Sequence, residues 1–256
     1  MRPLPICGPE PMKAREALQS ARSFAIATLD ERLGAGGLVV VAPHPDDESL
    51  ACGALIAEAC ARGRPTRVAF VSDGTGSHPA SLNYPRGRLR TLRESEARRA
   101  VAALGLAPRH ATFLRQPDRF VPSSGPAAEA AVAAIEARAR EVRAAALFVS
   151  WRHDPHCDHQ ASFRLARAAQ LRLSGVALYE YSVWGAALAP DAPVEPPAGG
   201  FRFAVGRHRA RKRRAIAAHR SQISALIDDD PAGFRLSPAD LARFDGPYEF
   251  FFEAGP

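Results

Sequence analysis

One stretch of this sequence sets the architecture of the chain: Leu38-Val39-Val40-Val41-Ala42-Pro43-His44-Pro45-Asp46-Asp47-Glu48. Its first half is apolar without the alternation of a half-exposed strand, so it predicts a central strand that is buried on both faces. A helix is predicted directly after it, from about Ser49 to Ala61, and a second β-rich segment, Thr66 to Ser72, comes next. This order predicts a βαβ unit with parallel strands.

The same alternation continues along the chain. Further strands are predicted at Ala111–Leu114, Ala145–Trp151, Val176–Val183 and Phe201–Val205. Further helices are predicted at Met12–Arg32, Leu89–Leu104, Ala127–Arg143 and Arg209–Ile227. The Pro-rich segment Ala189–Gly200 is predicted to be a loop, and the C-terminal residues a Pro- and Phe-bearing tail. We therefore expect a single-domain α/β fold with a mainly parallel sheet.

Length and composition agree with one folded domain. The chain has 256 residues, of which 46% are hydrophobic and 24% are charged. These fractions are close to globular averages, and 256 residues suffice for one large core. The apolar runs are much shorter than the roughly 18 to 20 residues that span a bilayer, so we predict no membrane span. Because the N-terminus has no signal-peptide pattern and the four cysteines form no framework, we expect a cytoplasmic protein with reduced thiols.

The chain is basic, with a formal net charge of +7. A basic surface attracts nucleic acids or anionic substrates, so a nucleic-acid-binding protein is one alternative. However, the excess of arginine is spread along the chain, and its one dense cluster, Arg207 to Arg214, is more typical of a solvated helix face. No G-x-G-x-x-G motif follows the first strand, which argues against a dinucleotide-dependent oxidoreductase. We expect no nucleic-acid partner.

The first concentration of chemistry lies directly after the buried strand. His44, Asp46, Asp47 and Glu48 share one short turn. In a parallel sheet this is the carboxyl end of a strand, where ligands bind. An imidazole and adjacent carboxylates can bind a divalent metal and leave one carboxylate for proton transfer. The alternative is that Asp46 or Asp47 only caps the following helix.

The second concentration is His153-Asp154-Pro155-His156-Cys157-Asp158-His159, also just past a predicted buried strand. Its alternative interpretation is a surface histidine cluster. Taken with the first cluster, it completes a His44, Asp47 and His159 set that leaves an open position for water. Three protein ligands and an open position are typical of a catalytic zinc site.

At these two motifs the sequence resembles the LmbE-like or PIG-L deacetylases. These are zinc-dependent enzymes that remove N-acetyl groups from N-acetylglucosaminyl compounds. The match is carried by residues 42–48 and 154–160. The resemblance implies a Rossmann-like three-layer fold, with the active site at the carboxyl ends of the strands. It also implies one Zn²⁺ per chain, bound by His44, Asp47 and His159.

The resemblance further assigns the catalytic roles. It implies that Asp46 is the general base and that His156 stabilises the oxyanion and assists the leaving group. We expect Asp158 to stand behind the ligands as a carboxylate that fixes a histidine tautomer. Cys157 occupies a position where the family commonly has Pro. We expect its thiol to point away from the metal.

Shorter similarities extend the match over roughly residues 38–225. They are Ser72-Asp73-Gly74 with Gly76, Arg93-x-x-Glu96, Pro117-Asp118 and His219-x-Ser221-Gln222. We therefore assign residues 38–256 to a deacetylase domain and residues 1–37 to an N-terminal extension with a helix.

Two residues outside the main motifs are predicted to bind the sugar. Asp118 follows a predicted strand, so it is expected beside the metal half-sites, where its carboxylate can accept hydrogen bonds from sugar hydroxyls. The guanidinium of Arg93 can reach the same sugar face with several donors. The alternatives are that Asp118 only forms a turn after Pro117 and that Arg93 pairs with Glu96 along its helix.

The predicted function is removal of an N-acetyl group from an amino-sugar small molecule or glycoconjugate, with release of acetate. A sugar- or metal-binding module without turnover is the alternative. Such a module has no need of Asp46 and His156, and both are present. The group attached to the amino sugar and the oligomeric state stay open.

Overall fold

A seven-stranded sheet forms the centre of the protein, whose computed structural model describes residues 10–255. Its strands are β2 (Gly37–Ala42), β3 (Thr66–Ser72), β4 (Ala111–Gln116), β5 (Ala144–Ser150), β6 (Ala177–Tyr181), β8 (Gly200–Ala204) and β9 (Tyr248–Glu253). A separate two-stranded sheet pairs β1 (Met12–Lys13) with β7 (Pro193–Val194). The order across the large sheet is β4-β3-β2-β5-β6-β9-β8. The first five of these strands run parallel, and β9 runs antiparallel to both of its neighbours.

Helices cover both faces of this sheet. They are α1 (Ala14–Ser20), α2 (Leu29–Leu33), α3 (Asp47–Ala61), α4 (Arg86–Ala103), α5 (Gly125–Glu141), α6 (Cys157–Gln170), α7 (Arg209–Ala218), α8 (Arg220–Ile223) and α9 (Pro238–Phe244). Alternate residues of β2 point into two separate cores. Leu38 and Val40 lie in the core under α3, α4 and α7, while Val39 and Val41 lie in the core under α5 and α6. The predicted three-layer α/β fold with a mainly parallel sheet is confirmed.

The N-terminal helix predicted over Met12–Arg32 is wrong. The segment contains β1, α1, a short 3₁₀ turn, an extended stretch and α2. The extended stretch runs beside β8, where Arg202 donates its N–H to Ala25 and accepts one from Ala27. The backbone of an edge strand needs such partners, and this demand overrides the local helix propensity.

The C-terminal third departs from prediction at two places. The helix predicted over Arg209–Ile227 is interrupted after Ala218, because the His219 side chain turns inward to Glu48. The tail contributes β9, which inserts between β6 and β8. Helix α6 was also not predicted, although it carries the second motif.

Several members of the basic cluster form ion pairs with neighbouring elements. Arg207 contacts Glu58, Arg213 contacts Asp245 and Lys212 is buried against Glu249. These pairs attach α7 to its neighbours. Cys52, Cys60 and Cys157 are free thiols, while Cys7 lies outside the described residues. Within residues 10–255, no helix has the length and apolar character needed to cross a membrane.

Candidate active site

A pocket of about 610 Å³ opens at the carboxyl ends of the parallel strands, where both sequence motifs meet. The loop after β2 supplies His44, Asp46 and the first residue of α3, Asp47. The loop after β5 and the first turn of α6 supply His156 and His159. Because β2 and β5 are neighbours in the sheet, residues more than a hundred positions apart face each other here.

Three ligand atoms converge in this pocket. His44 Nδ1 lies 3.2 Å from His159 Nε2, and Asp47 Oδ2 lies 3.5 Å from the first nitrogen and 3.3 Å from the second. Tetrahedral Zn²⁺ with bonds of about 2.0 to 2.1 Å places its ligand atoms about 3.3 Å apart. All three side chains are buried. The triangle therefore has the dimensions of three corners of a zinc tetrahedron.

The outer nitrogens of both histidines face carboxylates. His44 Nε2 lies 3.1 Å from Asp158 Oδ2 and 3.5 Å from Asp118 Oδ1. His159 Nδ1 lies 3.4 Å from Asp154 Oδ2 and has no other partner in the described part of the chain. A carboxylate behind a ligand histidine fixes its tautomer and orients the ring, so each inner nitrogen is left as the acceptor for a metal.

These carboxylates also set the charge of the site. Burial alone would lower the pKa of His159, but Asp47 and Asp154 raise it to about 9. The pKa of His44 is raised in the same way, against burial, by the surrounding carboxylates. Although burial opposes its ionisation, the contact with His159 holds the pKa of Asp47 well below its usual range. The pocket therefore favours positive charge at its centre, which suits a divalent cation.

Three other combinations bring possible ligand atoms within 4.8 Å of one another: His44-His156-His159, His156-Cys157-Asp158 and His44-Asp118-Asp158. Asp158 belongs to two of them, yet both of its oxygens already accept backbone N–H groups, from Arg119 at 2.6 Å and Val121 at 3.1 Å. In the triangle of His44, Asp47 and His159 the ligand atoms lie 3.2 to 3.5 Å apart, and one backbone N–H, that of His44, is donated to Asp47 Oδ2 at 2.9 Å. The thiol of Cys157 contacts the Arg119 carbonyl oxygen instead of this triangle.

Asp46 stands beside the triangle in a strained backbone conformation. Its φ is 148°, in the region that favours glycine. Its N–H donates to Glu48 Oε2 at 3.0 Å, and its carboxylate lies 3.4 Å from the Arg93 guanidinium. Burial and Asp47 raise the pKa of Asp46 to about 6, although Arg93 opposes the shift. A carboxylate with that pKa can accept a proton near neutral pH.

Arg93 and Asp118 both line the pocket but already have protein partners. Arg93 is only 3% exposed and donates to the carbonyl oxygens of Gly74 and Pro45 at 2.9 and 2.7 Å. Its Nε–H has no partner in the described chain. Asp118 accepts the N–H of Gly76 at 2.8 Å in addition to facing His44. Their sugar-binding roles stay predictions.

His156 caps the N-terminus of α6. Its Nδ1 accepts the N–H of Asp158 at 3.2 Å, which leaves the Nε2–H as the donor of a neutral ring. Burial, together with His44 and His159, lowers its pKa to about 4. The ring centre lies 4.6 Å from that of His44. The geometry favours His156 as a neutral hydrogen-bond donor rather than an imidazolium.

Sequence reasoning missed two connections that position the side chains of the site. Glu48 is fully buried and accepts from the Asp46 N–H, from Ser49 at 2.6 Å and from His219 Nε2 at 3.0 Å. Asp158 faces His44, and a second carboxylate that was not predicted, Asp154, faces His159. The short His219-x-Ser221-Gln222 similarity was the only signal for the first connection, and spacing gives none for the second.

The comparison with protein families bears on this geometry. The model of the PIG-L family, described as GlcNAc-PI de-N-acetylase, matches residues 39–170, which is just over half of the chain and contains both motifs. The chain belongs to the PIG-L family. A search of curated proteins gave no match. The resemblance seen in the two motifs is thereby confirmed, and with it the placement of this chain among LmbE-like deacetylases.

Solved structures share the PIG-L fold of this chain. The N,N'-diacetylchitobiose deacetylase from Pyrococcus horikoshii aligns with a TM-score of 0.65 at 17% identity, over 93% of this chain and 90% of that one. The zinc-inhibited form of teicoplanin deacetylase Orf2 aligns at 0.61 and 18%, over 84% and 97%. GalB, the 4-carboxy-2-hydroxymuconate hydratase from Pseudomonas putida KT2440, aligns at 0.60 and 16%, over 86% and 96%. At these identities the likeness shows the fold, which carries both deacetylases and a hydratase.

Proposed function

We propose that this PIG-L family chain is a zinc-dependent N-deacetylase. It removes the acetyl group from an N-acetylglucosamine-containing or related amino-sugar small molecule or glycoconjugate and releases acetate. The observation that carries the proposal is the buried triangle of ligand atoms, 3.2 to 3.5 Å apart, with the carboxylate of Asp46 beside it in the same pocket. Family membership supports the reaction class.

In this proposal His44, Asp47 and His159 hold one zinc ion per chain. When bound, the ion supplies Lewis-acid polarisation of the acetyl carbonyl. Asp158 behind His44 and Asp154 behind His159 keep the ligand nitrogens aimed at the ion.

Asp46 acts as the general base that removes a proton of the attacking water and returns it to the amide nitrogen as the C–N bond breaks, so that acetate and the free amine leave. Its raised pKa gives the carboxylate enough basicity for this step and still leaves it mainly ionised at neutral pH. Two contacts hold it: the Arg93 guanidinium restrains its carboxylate, and Glu48 restrains its backbone N–H. Backbone strain persists at positions where the direction of a side chain is important for function, which is consistent with a catalytic role for the Asp46 carboxylate.

His156 donates its Nε2–H to the oxygen that gains negative charge as water adds to the amide carbon. A preorganised donor of this kind contributes about 10²- to 10³-fold in rate. The backbone of Asp158 fixes the required tautomer, so no ring rotation or change of protonation is needed before the donor can act.

Arg93 and Asp118 are proposed to contact the sugar. The hydrogen bonds that both side chains already make within the protein limit which of their atoms can contact the sugar. Because its Nε is buried, Arg93 would contact the sugar through the edge of its guanidinium that lines the pocket, and Asp118 would use lone pairs not taken by Gly76. We also propose a cytoplasmic location, which rests on the sequence. The proposal includes no nucleic-acid partner, and three cations of the basic cluster, Arg207, Lys212 and Arg213, pair with carboxylates of the protein itself.

The experiment compares metal-free and zinc-loaded protein on a panel of N-acetylglucosaminides, with mass spectrometry for the loss of one acetyl unit and an enzymatic assay for acetate. The zinc-loaded chain should release both products, and the metal-free chain neither. Asp46→Asn is the matched control, because it should retain zinc and lose turnover. Full activity of verified metal-free protein would refute the metal mechanism. An unsaturated carboxylic acid is assayed beside the panel. Addition of one water to it, with no acetate released from any N-acetylglucosaminide, would instead indicate a hydratase.

A further inference from the structure

The pocket contains an apolar wall that the chemistry of deacetylation does not use. Trp184, Phe234, Ala187 and Pro155 line the same pocket as the metal-ligating side chains. The Trp184 and Phe234 rings meet edge to face, with centroids 5.7 Å apart. Both side chains are only half-buried, so part of each ring faces the pocket. A volume of about 610 Å³ is in the range that encloses drug-sized ligands, which leaves room for a group beyond the amino sugar.

The Trp184 side of this wall is connected to the metal site by hydrogen bonds to Asp154. Asp154 Oδ2 accepts the backbone N–H groups of Val183 and Trp184 at 3.2 and 2.8 Å. The same oxygen is the one that faces His159. The carboxylate that orients a ligand histidine therefore also fixes the backbone that presents the Trp184 ring.

The Phe234 side is connected to the loop after β3. Phe234 donates its N–H to the carbonyl oxygen of Ser77 at 2.6 Å. The preceding Gly233 is packed against the His78 ring, where an added Cβ would clash with the ring carbon Cδ2. Asp230 accepts the N–H of Ala80 at 2.9 Å across the same two loops. Two aromatic rings that are anchored through their backbone N–H groups and line the pocket form an apolar surface of the kind that marks a ligand site.

The charge of the wall limits what it can bind. Arg119 is the only residue lining the pocket, within the described chain, that carries a charge without also belonging to the metal and base cluster. Two neutral donors in the lining are already used within the protein, since Ser77 donates to Gly74 and Gln222 donates to Ser77 and Ser221. A strongly anionic or heavily hydroxylated acceptor would need more free donors than this, because a polar group buried without a partner costs about 1 to 3 kcal/mol. An uncharged apolar group needs none.

We propose that the substrate carries, beside its acetamido sugar, an uncharged apolar group that packs on Trp184 and Phe234. This inference rests on the proposed function and specifies its substrate class. Aromatic faces recognise aryl groups by stacking and alkyl chains by burial of apolar area, and both contributions lower KM more than they raise kcat.

The test measures kcat/KM of the zinc-loaded protein on four substrates: free N-acetylglucosamine, N,N'-diacetylchitobiose, an aryl glycoside and an octyl glycoside of N-acetylglucosamine. We expect the two apolar glycosides to exceed the two hydrophilic substrates by about 10- to 100-fold, mainly through KM. The aryl and octyl arms distinguish an aromatic group from an alkyl chain.

Trp184→Ala should reduce the ratio of kcat/KM between the octyl or aryl glycoside and the free sugar by about tenfold or more, while Trp184→Phe should retain most of it. Phe120→Ala is the matched control, because Phe120 is an aromatic residue that is 78% exposed and does not line the pocket. Its ratio should equal that of the wild type. Zinc content of each variant reports whether the site has stayed intact.

Two negative results are distinguishable. Equal kcat/KM on all four substrates, or a wild-type ratio in a folded Trp184→Ala variant, would overturn this inference and leave deacetylation standing. No acetate from any substrate with zinc-loaded protein would overturn the proposed function and the inference with it.

Discussion

Replacement of Asp154 by Asn tests how the protein orients its metal ligands. Asp154 is fully buried, and its Oδ2 lies 3.4 Å from His159 Nδ1. Its two oxygens together face four donors: the N–H groups of His156, Val183 and Trp184, and the His159 ring. An Asn side chain has one acceptor oxygen and one NH₂ group. In either orientation the NH₂ group therefore faces at least one of these donors, and that hydrogen bond is lost.

The magnitude follows from the geometry. The less costly orientation directs the Asn oxygen at His159, Val183 and Trp184 and gives up the 3.3 Å contact with the His156 N–H. The N–H groups of Val183 and Trp184 and the His159 ring then keep an acceptor, but the negative charge behind His159 is lost. Loss of such a partner typically costs 10- to 100-fold in metal affinity, or about 1.4 to 2.7 kcal/mol. We expect zinc Kd for Asp154→Asn to rise within that range.

The assay is a competition titration of zinc against a chelator of known affinity at constant pH, with wild type, Asp154→Asn and Asp191→Asn. Asp191 is a matched control, because its carboxylate is exposed and pairs only with surface Lys13 and Arg15. Circular dichroism and urea unfolding show whether each variant is folded. A folded Asp154→Asn protein with the zinc Kd of the wild type would refute the view that this carboxylate supports the metal site.

Three further predictions concern the general base, the release of protons on zinc binding, and the stability of the fold. Asp47→Ala should lose zinc by elemental analysis, whereas Asp46→Asn should retain it and lose about 10²- to 10⁴-fold in kcat; the opposite pattern would show that the two carboxylates have been assigned in reverse. Zinc uptake at pH 7 should release protons, because the pKa of His159 is raised to about 9 and a ligand imidazole must be neutral, so affinity should increase as the pH rises toward 9. Calorimetry in buffers of different ionisation enthalpy measures this release, and a buffer-independent heat would contradict it. Lys212→Met should destabilise the protein by about 1.5 to 3 kcal/mol in urea unfolding, because the buried Glu249 keeps the N–H groups of Ala54 and Leu55 but loses its cation at 2.8 Å; a change below about 1 kcal/mol would show that the pair contributes little.

The sequence predicted most of the parallel part of the fold. The apolar run at Leu38 and the segment Thr66–Ser72 form adjacent parallel strands. Such predictions succeed because a strand buried on both faces needs a continuous apolar run, and this pattern is local. The errors lie where a segment's partner is distant in sequence. Residues 24–27 pair with β8, and β9 enters the sheet from the C-terminus, so neither could be identified from its own residues.

The candidate site divides in the same way. The sequence by itself determined which residue types stand at the ends of β2 and β5, and it predicted that His44, Asp47 and His159 form one set at the carboxyl edge of the sheet. That β2 and β5 are neighbours, which brings these residues together, was decided by the tertiary structure. Only the tertiary structure decided that Asp154 faces His159 while Asp158 faces His44. These two carboxylates are chemically alike and four positions apart, so spacing cannot assign them; the direction of each side chain depends on which backbone N–H groups surround it after folding. The apolar wall has the same origin, since Trp184 and Phe234 are fifty positions apart and each is fixed by a hydrogen bond to a loop distant in sequence, Trp184 to Asp154 and Phe234 to Ser77.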